Sequence, residues 1–311
     1  LRTMIMIFRL VTLFLLSANV LAHVKPVFRP VVLWHGLGDS CCNPNSMGYV
    51  QDLIKSSLPD VYVHSIMIGK DEEADKKAGF FGNANNEVAN VCEKLKADEN
   101  LQLGFNAIGF SQGGQFLRAY VERCNDPPVY NLITFGSQHQ GIADIPKCQD
   151  GDFLCTVMRS IAARGAYSGY VRERVIPAQY YKDPFRLDLY KERSIFLPDV
   201  NNELEEKNPL YKANLASLNL FVMIKFTEEA TVEPPESSWF GYYNEDGDIL
   251  SLFDMPIYKE DWLGLRQLNE TNRLVFQECE GKHMHIPEDY FREIIELYLS
   301  EPLGRYLAIQ N

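Results

Sequence analysis

The sequence is short of three features that mark metal-binding, nucleic-acid-binding and membrane-spanning proteins. It contains no Cys-x-x-Cys pair and no His-x-x-x-His spacing, so we expect no metal site and no cofactor. Its 42 acidic residues outnumber 30 basic ones and give a net charge of −12. Because binding to phosphates needs clustered positive charge, this balance argues against nucleic acid as a partner.

The N-terminal apolar run is too short to cross a bilayer. The run after Arg9 covers nine residues, whereas a spanning helix needs about 20. Arg2 and Arg9 precede it, and small residues follow at 20–22, which is the pattern of a cleaved signal peptide over residues 1–22. A membrane anchor is the alternative. We expect residues 23–311 to form a single domain without stable membrane insertion.

The rest of the chain predicts an α/β fold with a mostly parallel sheet. Short apolar segments alternate with amphipathic ones, so helices should cover both faces of the sheet. Residues 70–82 are charged and contain glycine, which predicts a loop. Between about residues 142 and 215 the alternation stops, which predicts a helical cap insertion over the active edge. Its aromatic residues suit either an apolar ligand or the core of the cap itself. The predicted strands lie at 31–34, 61–69, 105–110, 131–135, 218–226 and 273–278.

The segment Leu103–Tyr120 predicts a strand, a sharp turn and a helix with Ser111 at the turn. A serine in a nucleophile elbow needs glycine neighbours, because the helix and the strand approach too closely for side chains there. Gly109, Gly113 and Gly114 meet that requirement. We therefore predict Ser111 as a nucleophile, with an ordinary glycine-containing turn as the alternative.

The glycine-rich turn at 35–39 follows the first strand and should lie at the same edge. In hydrolases with an elbow, one oxyanion-hole amide comes from such a loop and the other from the residue after the nucleophile. This logic selects the backbone N–H groups of Leu37 and Gln112. His35 precedes the nucleophile, which is the wrong chain order for the general base.

The base and the acid should follow later in the chain, in the order serine, acid, histidine. His283 and His285 both lie after the last predicted strand and qualify by position. His139 either touches substrate or is satisfied by hydrogen bonds within its loop, and we favour the second. Among the candidate acids Glu233 is preferred, because the two prolines after it stiffen the backbone. The competing acids are Glu228, Glu229 and Glu236.

Seven cysteines behind a signal peptide indicate disulfides and an oxidising route of synthesis. Cys92 and Cys124 lie in the helices that flank the elbow strand, so a bond could clamp them. Cys148 and Cys155 could close a small loop. The adjacent Cys41 and Cys42 favour two unpaired thiols, since their ring would be strained, and Cys279 should be a buried strand thiol. Asn269 begins the one glycosylation sequon.

Several longer motifs resemble the lysosomal palmitoyl-protein thioesterases, over nearly all of residues 27–300. They are VLWHGLGDSCCNPNSMG from residue 32, NAIGFSQGGQFLRAYVERC from 106, NLITFGSQHQG from 131, SSWFGYY from 237 and EGKH from 280. The resemblance implies an α/β-hydrolase fold with a Ser-Asp-His triad, a signal sequence, and delivery to lysosomes on mannose-6-phosphate glycans. We expect a lysosomal location reached through the secretory pathway, with secretion as a second destination.

Residue by residue, the resemblance implies Ser111 as nucleophile and His283 as base, and it excludes His285. It also implies disulfides 41–42, 92–124 and 148–155, against the geometric argument for the adjacent pair. Where the family has Asp in a Val-Asp-Pro step, this chain has Glu233. Glutamate serves as the triad acid in some α/β-hydrolases, so the role can survive.

The expected activity is hydrolysis of the thioester between a long-chain fatty acyl group such as palmitate and cysteine, through a serine acyl-enzyme. Substrates would be S-palmitoylated proteins or peptides and long-chain acyl thioesters. The triad chemistry alone does not separate a thioesterase from a secreted lipase or carboxylesterase. The glutamate in place of aspartate leaves a catalytically silent lipid-binding protein as a further alternative.

Overall fold

A six-stranded parallel sheet carries the site in the computed structural model, which describes residues 27–144 and 165–303. The strand order is β2-β1-β3-β4-β5-β8, and β6 and β7 form a separate antiparallel pair. The strands are β1 (Val31–Trp34), β2 (Val63–Ser65), β3 (Phe105–Phe110), β4 (Val129–Phe135), β5 (Leu220–Glu228), β6 (Tyr242–Tyr243), β7 (Ile249–Leu250) and β8 (Leu274–Lys282).

Helices occupy the connections between the strands. They are α1 (Met47–Ser57), α2 (Glu72–Ala78), α3 (Ala84–Ala97), α4 (Gln112–Arg123), α5 (Gly169–Arg174), α6 (Ile176–Gln179), α7 (Leu187–Arg193), α8 (Leu197–Val200), α9 (Pro209–Leu215), α10 (Pro256–Lys259), α11 (Leu265–Glu270) and α12 (Glu288–Tyr298). Short 3₁₀ turns lie at Glu99–Leu101, Pro235–Trp239 and Leu252–Asp254.

Side chains that alternate along the strands separate two hydrophobic clusters. In β1, Val32 and Trp34 face a cluster that includes α3 and α4, whereas Val31 and Leu33 face one that includes α1 and α12. Successive strand residues point to opposite faces, so a fully buried strand must be apolar at every position. This packing confirms the predicted α/β-hydrolase architecture, with a parallel sheet covered on both faces.

The prediction of a loop over residues 70–82 is wrong, because α2 lies within it. Asp71 begins the helix, and its side chain accepts a hydrogen bond from the Ala74 amide. Acidic residues occupy the first turn and lysines the last, which complements the helix dipole. Because the helix is only seven residues long and mostly charged, its sequence was interpreted as a loop.

The described part of the insertion, residues 165–215, consists of short helices joined by turns. Its large aromatic side chains Tyr180, Tyr190 and Phe196 are buried in the same cluster as Phe116 of the elbow helix α4. Phe116 and Phe196 meet edge to face at 5.4 Å. These three aromatic residues therefore extend the main core instead of forming a separate one.

A buried arginine joins the insertion to α4. Arg118 has no exposed surface and pairs with Glu122 at 2.8 Å. Its guanidinium also donates to the Val200 carbonyl at 3.0 Å and to the Asn201 side chain at 2.8 Å. A buried charge is tolerated only when its donors are satisfied, so these partners fix the position of α8 relative to the elbow helix.

Two of the three expected disulfides fall within the described residues, and both are present. Cys92 in α3 is bonded to Cys124 at the end of α4, and the adjacent Cys41 and Cys42 are bonded to each other. The expectation of two free thiols, drawn from ring strain, is therefore wrong. Cys279 is a buried free thiol in β8, as predicted.

Two other expectations fall outside the described residues, namely the signal peptide over 1–22 and the pair Cys148 and Cys155. Residues 28–301 form one compact unit. Within the ranges 27–144 and 165–303, no helix has both the length and the apolar character needed to cross a bilayer.

Helix α4 lies unusually close to the sheet at its first turn. A Cβ added to Gly113 would be 2.2 Å from the carbonyl oxygen of Trp34 in β1. A Cβ on Gly109 of β3 would be 2.3 Å from the Cα of Gly114. Real side chains cannot occupy these distances, so the glycines are required by the packing of backbone on backbone.

We predict that Gly113→Ala lowers the free energy of unfolding by about 3 kcal/mol or more, since the added methyl meets rigid backbone. Gly169→Ala is the matched control, because this glycine also lies in the first turn of a helix and has nothing within 4 Å of its added Cβ. That control should be neutral or stabilising by up to about 1 kcal/mol. Denaturant unfolding measures both, and equal effects would contradict the close-packing argument.

Candidate active site

Ser111 lies at the turn between β3 and α4, at the carboxyl edge of the sheet. Its backbone has φ 50° and ψ −119°, a conformation that L-residues rarely adopt. The Ser111 amide donates to the Phe135 carbonyl of β4 at 2.7 Å, which holds the turn against the neighbouring strand. Only 7% of the residue is exposed. The strained turn directs the hydroxyl away from the helix axis into a cavity.

His283 reaches Ser111 from the end of β8. The distance from its Nε2 to the Ser111 Oγ is 3.0 Å, which brings together the two side chains that the sequence had paired. The ring packs edge-on to Phe226, and a Cβ on Gly136 would lie 3.1 Å from its Nδ1. The ring is therefore enclosed on two sides. His285 is exposed and makes no contact with Ser111 among the hydrogen bonds of the described residues.

Glu229 supplies the carboxylate next to His283. Its Oε2 is 2.6 Å from the His283 Nδ1, and its Oε1 accepts from the Thr231 and Val232 amides at 2.7 and 3.0 Å. The Glu229 side chain has no exposed surface. Three donors thus hold one buried carboxylate in a fixed direction.

The preference for Glu233 is therefore wrong. Its Oε1 instead accepts from the Tyr243 hydroxyl at 2.5 Å. The reason is strand register: Glu228, at the end of β5, pairs with Lys282, at the end of β8. Glu229 and His283 directly follow these two strand ends, so the sheet places them side by side. Glu233 lies four residues further along the loop. The prolines that stiffen the backbone after it therefore do not bring its carboxylate to His283.

Hydrogen bonding fixes the tautomer of His283. An ionised carboxylate only accepts, so Nδ1 carries the proton and donates to Glu229, which leaves Nε2 free to accept from the Ser111 hydroxyl. Burial alone would raise the pKa of the Glu229 carboxyl, but the hydrogen bond and charge of His283, with the two amides, hold that pKa below its usual value. The carboxylate therefore stays ionised in mildly acidic solution.

The two amides expected to form the oxyanion hole both lie at Ser111. Gly36, just before Leu37, is so close that an added Cβ would be 3.2 Å from the Ser111 Cβ. Gln112 is the first residue of α4, where backbone N–H groups have no partner within the helix. Its side chain donates to the Gly79 carbonyl at 3.2 Å and accepts from Tyr180 at 3.1 Å.

His35 belongs to a buried ion pair behind the oxyanion loop. Its Nε2 is 3.2 Å from the Asp75 Oδ2, and Asp75 also accepts from the Cys41 and Ile68 amides. Although burial lowers the pKa of His35, the hydrogen bond and charge of Asp75 raise it overall. His35 thus holds the loop instead of acting as a base. Sequence reasoning missed Asp75, since this residue lies in the helix that was taken for a loop.

His139 is fully buried and hydrogen-bonded, but its side-chain partners lie in α4 and β4 and not in its own loop as expected. Its Nδ1 accepts from the Arg118 Nε at 3.2 Å, its Nε2 lies 3.1 Å from the Thr134 hydroxyl, and its ring stacks on Phe240. Burial, followed by the Arg118 charge, holds the pKa of His139 well below its usual value. It is out of reach of a substrate at Ser111.

A cavity of about 690 Å³ opens at Ser111 and His283. Its volume is in the range of ligand-binding pockets. One wall belongs to the α3–α4 side of the sheet, through Ile142, Tyr180 and Val232. The other belongs to the α1–α12 side, and its apolar lining is Met47, Val50, Leu53, Met284, Ile286 and Phe291.

Two further points concern metal binding and glycosylation. In the described ranges, no group of three histidine, cysteine or acidic side chains is arranged to hold a metal ion. Asn269 lies in α11, half-buried, and its side-chain amide donates to the Tyr258 hydroxyl at 2.7 Å. Its glycosylation stays a prediction.

The site as a whole presents a hydroxyl, an imidazole that accepts its proton, and a buried carboxylate behind the imidazole. The two segments expected to supply the oxyanion-hole amides adjoin Ser111: Leu37 lines the cavity, and Gln112 is the first residue of α4. Such a set can add serine to an acyl carbonyl and stabilise the negative charge that develops on its oxygen. The fold and the geometry thus fit acyl transfer.

The amino-acid sequence is similar to those of several known proteins. The sequence profile of the family "Palmitoyl protein thioesterase" matches residues 30–283. The chain is 46% identical over 273 residues to palmitoyl-protein thioesterase 1 of Caenorhabditis elegans, with 86% of this chain and 91% of the relative covered. It is 38% identical over 282 residues to palmitoyl-protein thioesterase 3 of Dictyostelium discoideum, with 90% and 93% covered.

A more distant relative is the lysosomal thioesterase PPT2 homolog of Drosophila melanogaster, 29% identical over 287 residues, with 89% of this chain and 93% of the relative covered. The profile match and the two more similar relatives agree with the site geometry. The chain belongs to the palmitoyl protein thioesterase family of hydrolases.

Proposed function

We propose that this enzyme removes palmitate and other long acyl chains from cysteine in S-acylated proteins, with Ser111 as the nucleophile. The observation that carries the proposal is the hydrogen-bonded series from Ser111 to His283 to Glu229, at 3.0 and 2.6 Å, inside an apolar cavity. The membership of the chain in a thioesterase family supplies the substrate class.

In the first step, the Ser111 oxygen attacks the thioester carbonyl while its proton passes to the His283 Nε2. Glu229 stabilises the resulting imidazolium through Nδ1. The carbonyl oxygen becomes negative and is stabilised by the Leu37 and Gln112 amides. The intermediate then expels the cysteine sulfur, which takes the proton from His283. A thiolate, with a pKa of about 8.5, is a good leaving group.

In the second step, water attacks the ester between Ser111 and the fatty acid. His283 accepts a proton from the water and returns it to the serine oxygen as the bond breaks. The products are the free fatty acid and the restored enzyme. Ser111, His283 and Leu37 line the same cavity, and Glu229 contacts His283.

We also propose that the enzyme acts in lysosomes after secretory synthesis. Relatives from Drosophila melanogaster and Rattus norvegicus carry the name lysosomal thioesterase. Two disulfides fit an oxidising route of synthesis. The lowered pKa of the Glu229 carboxyl favours a charged triad acid under acidic conditions.

We predict that wild-type enzyme releases labelled palmitate from an S-acylated protein at acid and at neutral pH, while Ser111→Ala lowers turnover by about 10⁵-fold or more. A fluorophosphonate should label the wild type and not the variant. Palmitoyl-cysteine peptides should be hydrolysed faster than triglyceride. Faster hydrolysis of triglyceride would indicate a lipase, and a wild type that resists labelling would indicate a lipid carrier.

We predict that Glu229→Gln lowers kcat by about 10³-fold or more, because an amide in place of the carboxylate no longer stabilises the imidazolium. Glu233→Gln is the matched control, and it should change kcat by less than about three-fold, since Glu233 contacts Tyr243 instead. Steady-state kinetics on one palmitoyl thioester compares them. A larger loss in the Glu233 variant would reverse the assignment of the acid.

A further inference from the structure

The cavity crosses the carboxyl edge of the sheet, with Ser111 between its two sides. The side nearest the insertion is lined by Ile142 and Tyr180, together with Val232 from the loop after β5. We call the opposite side the α1–α12 cleft. Its apolar lining consists of Met47, Val50, Leu53, Met284, Ile286 and Phe291. The two sides belong to different hydrophobic clusters, on opposite faces of the sheet. Two parts of a thioester extend from its carbonyl, the acyl chain and the group that bears the sulfur. Each part therefore needs its own side of the cavity.

The position of His283 decides which part lies in the cleft. The leaving sulfur must lie within hydrogen-bond reach of Nε2, because this nitrogen returns the proton to it. Met284 and Ile286 lie one and three residues after His283, and both line the α1–α12 cleft. Met284 has a φ of 60°. The leaving group is therefore beside the cleft when it departs.

The rim of the cleft is open and polar, unlike its floor. Tyr49 is 44% exposed and donates a hydrogen bond to Glu288, so the pair bridges α1 and the start of α12 at the surface. Asn45 and His285 on the same rim are also exposed. A polypeptide must continue into solvent in both directions from its acylated cysteine, whereas a fatty acyl chain is stabilised by complete burial.

We propose that the α1–α12 cleft holds the polypeptide around the acylated cysteine, which leaves the insertion side for the acyl chain. This assignment rests on the proposed thioesterase activity and adds a substrate subsite to it. The cleft contacts the apolar side chains next to the cysteine through its floor, and the rim contacts the peptide backbone.

The test compares two thioesters with the same palmitoyl group, one on the cysteine of a soluble octapeptide and one on N-acetylcysteamine. Val50→Trp and Ile286→Trp fill the cleft from opposite walls. Lys55→Trp is the control, because Lys55 is exposed on α1 and does not line the cavity. For each variant, the ratio of kcat/KM for the peptide to kcat/KM for the small thiol is measured.

We expect this ratio to fall by about ten-fold in both cleft variants and to stay unchanged in Lys55→Trp. The preferred acyl length on the small thiol should not shift. A parallel fall for both thioesters, with a preference for shorter chains, would instead place the acyl chain in the cleft and overturn the proposal. An unchanged ratio in both cleft variants would also overturn it.

Folding is checked by the melting temperature and by the rate at which a small fluorophosphonate labels Ser111. Should the tryptophan variants unfold, Val50→Ala and Ile286→Ala remove contact surface, and they should lower the same ratio by about three-fold or more. A wild type that hydrolyses neither thioester would refute the proposed function itself, an outcome separate from any change in the ratio.

Discussion

The site depends on one backbone conformation, the positive φ of Ser111. The turn is tolerated because glycines let α4 approach β1 and β3 to distances that no side chain allows. Hydrogen bonding to β4 holds it from the other side. The same turn presents the hydroxyl to the cavity and places the Gln112 amide at the free end of a helix. Strain at one residue is thus compensated by packing throughout the centre of the sheet.

Strand register positions the other two side chains of the triad, Glu229 and His283. β5 and β8 are adjacent and parallel, and they end together at Glu228 and Lys282. Glu229 and His283 directly follow the two strands, so their 2.6 Å contact follows from the sheet. Because neither residue depends on a long loop for its position, the imidazole is held within reach of Ser111 before substrate binds.

Buried ion pairs hold the elements that surround the elbow. Asp75 fixes the oxyanion loop through His35 and the Cys41 amide, and Arg118 fixes the insertion through Val200 and Asn201. Each charge is enclosed and satisfied by several partners, so loss of one partner would leave a charge unpaired in the interior. The insertion therefore presents Tyr180 to the Gln112 side chain as part of the core, not as a detached cap.

The sequence alone predicted the parallel sheet and Ser111, because apolar strand patterns and a glycine-flanked serine are local signals. It left His283 and His285 as equal candidates by position, and resemblance to a family selected His283. Resemblance to a family added the adjacent disulfide. Only the tertiary structure showed which glutamate contacts His283, since four glutamates lie between residues 228 and 236 and strand register places Glu229 there. The helix that carries Asp75 was also found only in the tertiary structure, because it is short and charged. The role of Asp75 follows from its contact with His35, which lies 40 residues away in the chain.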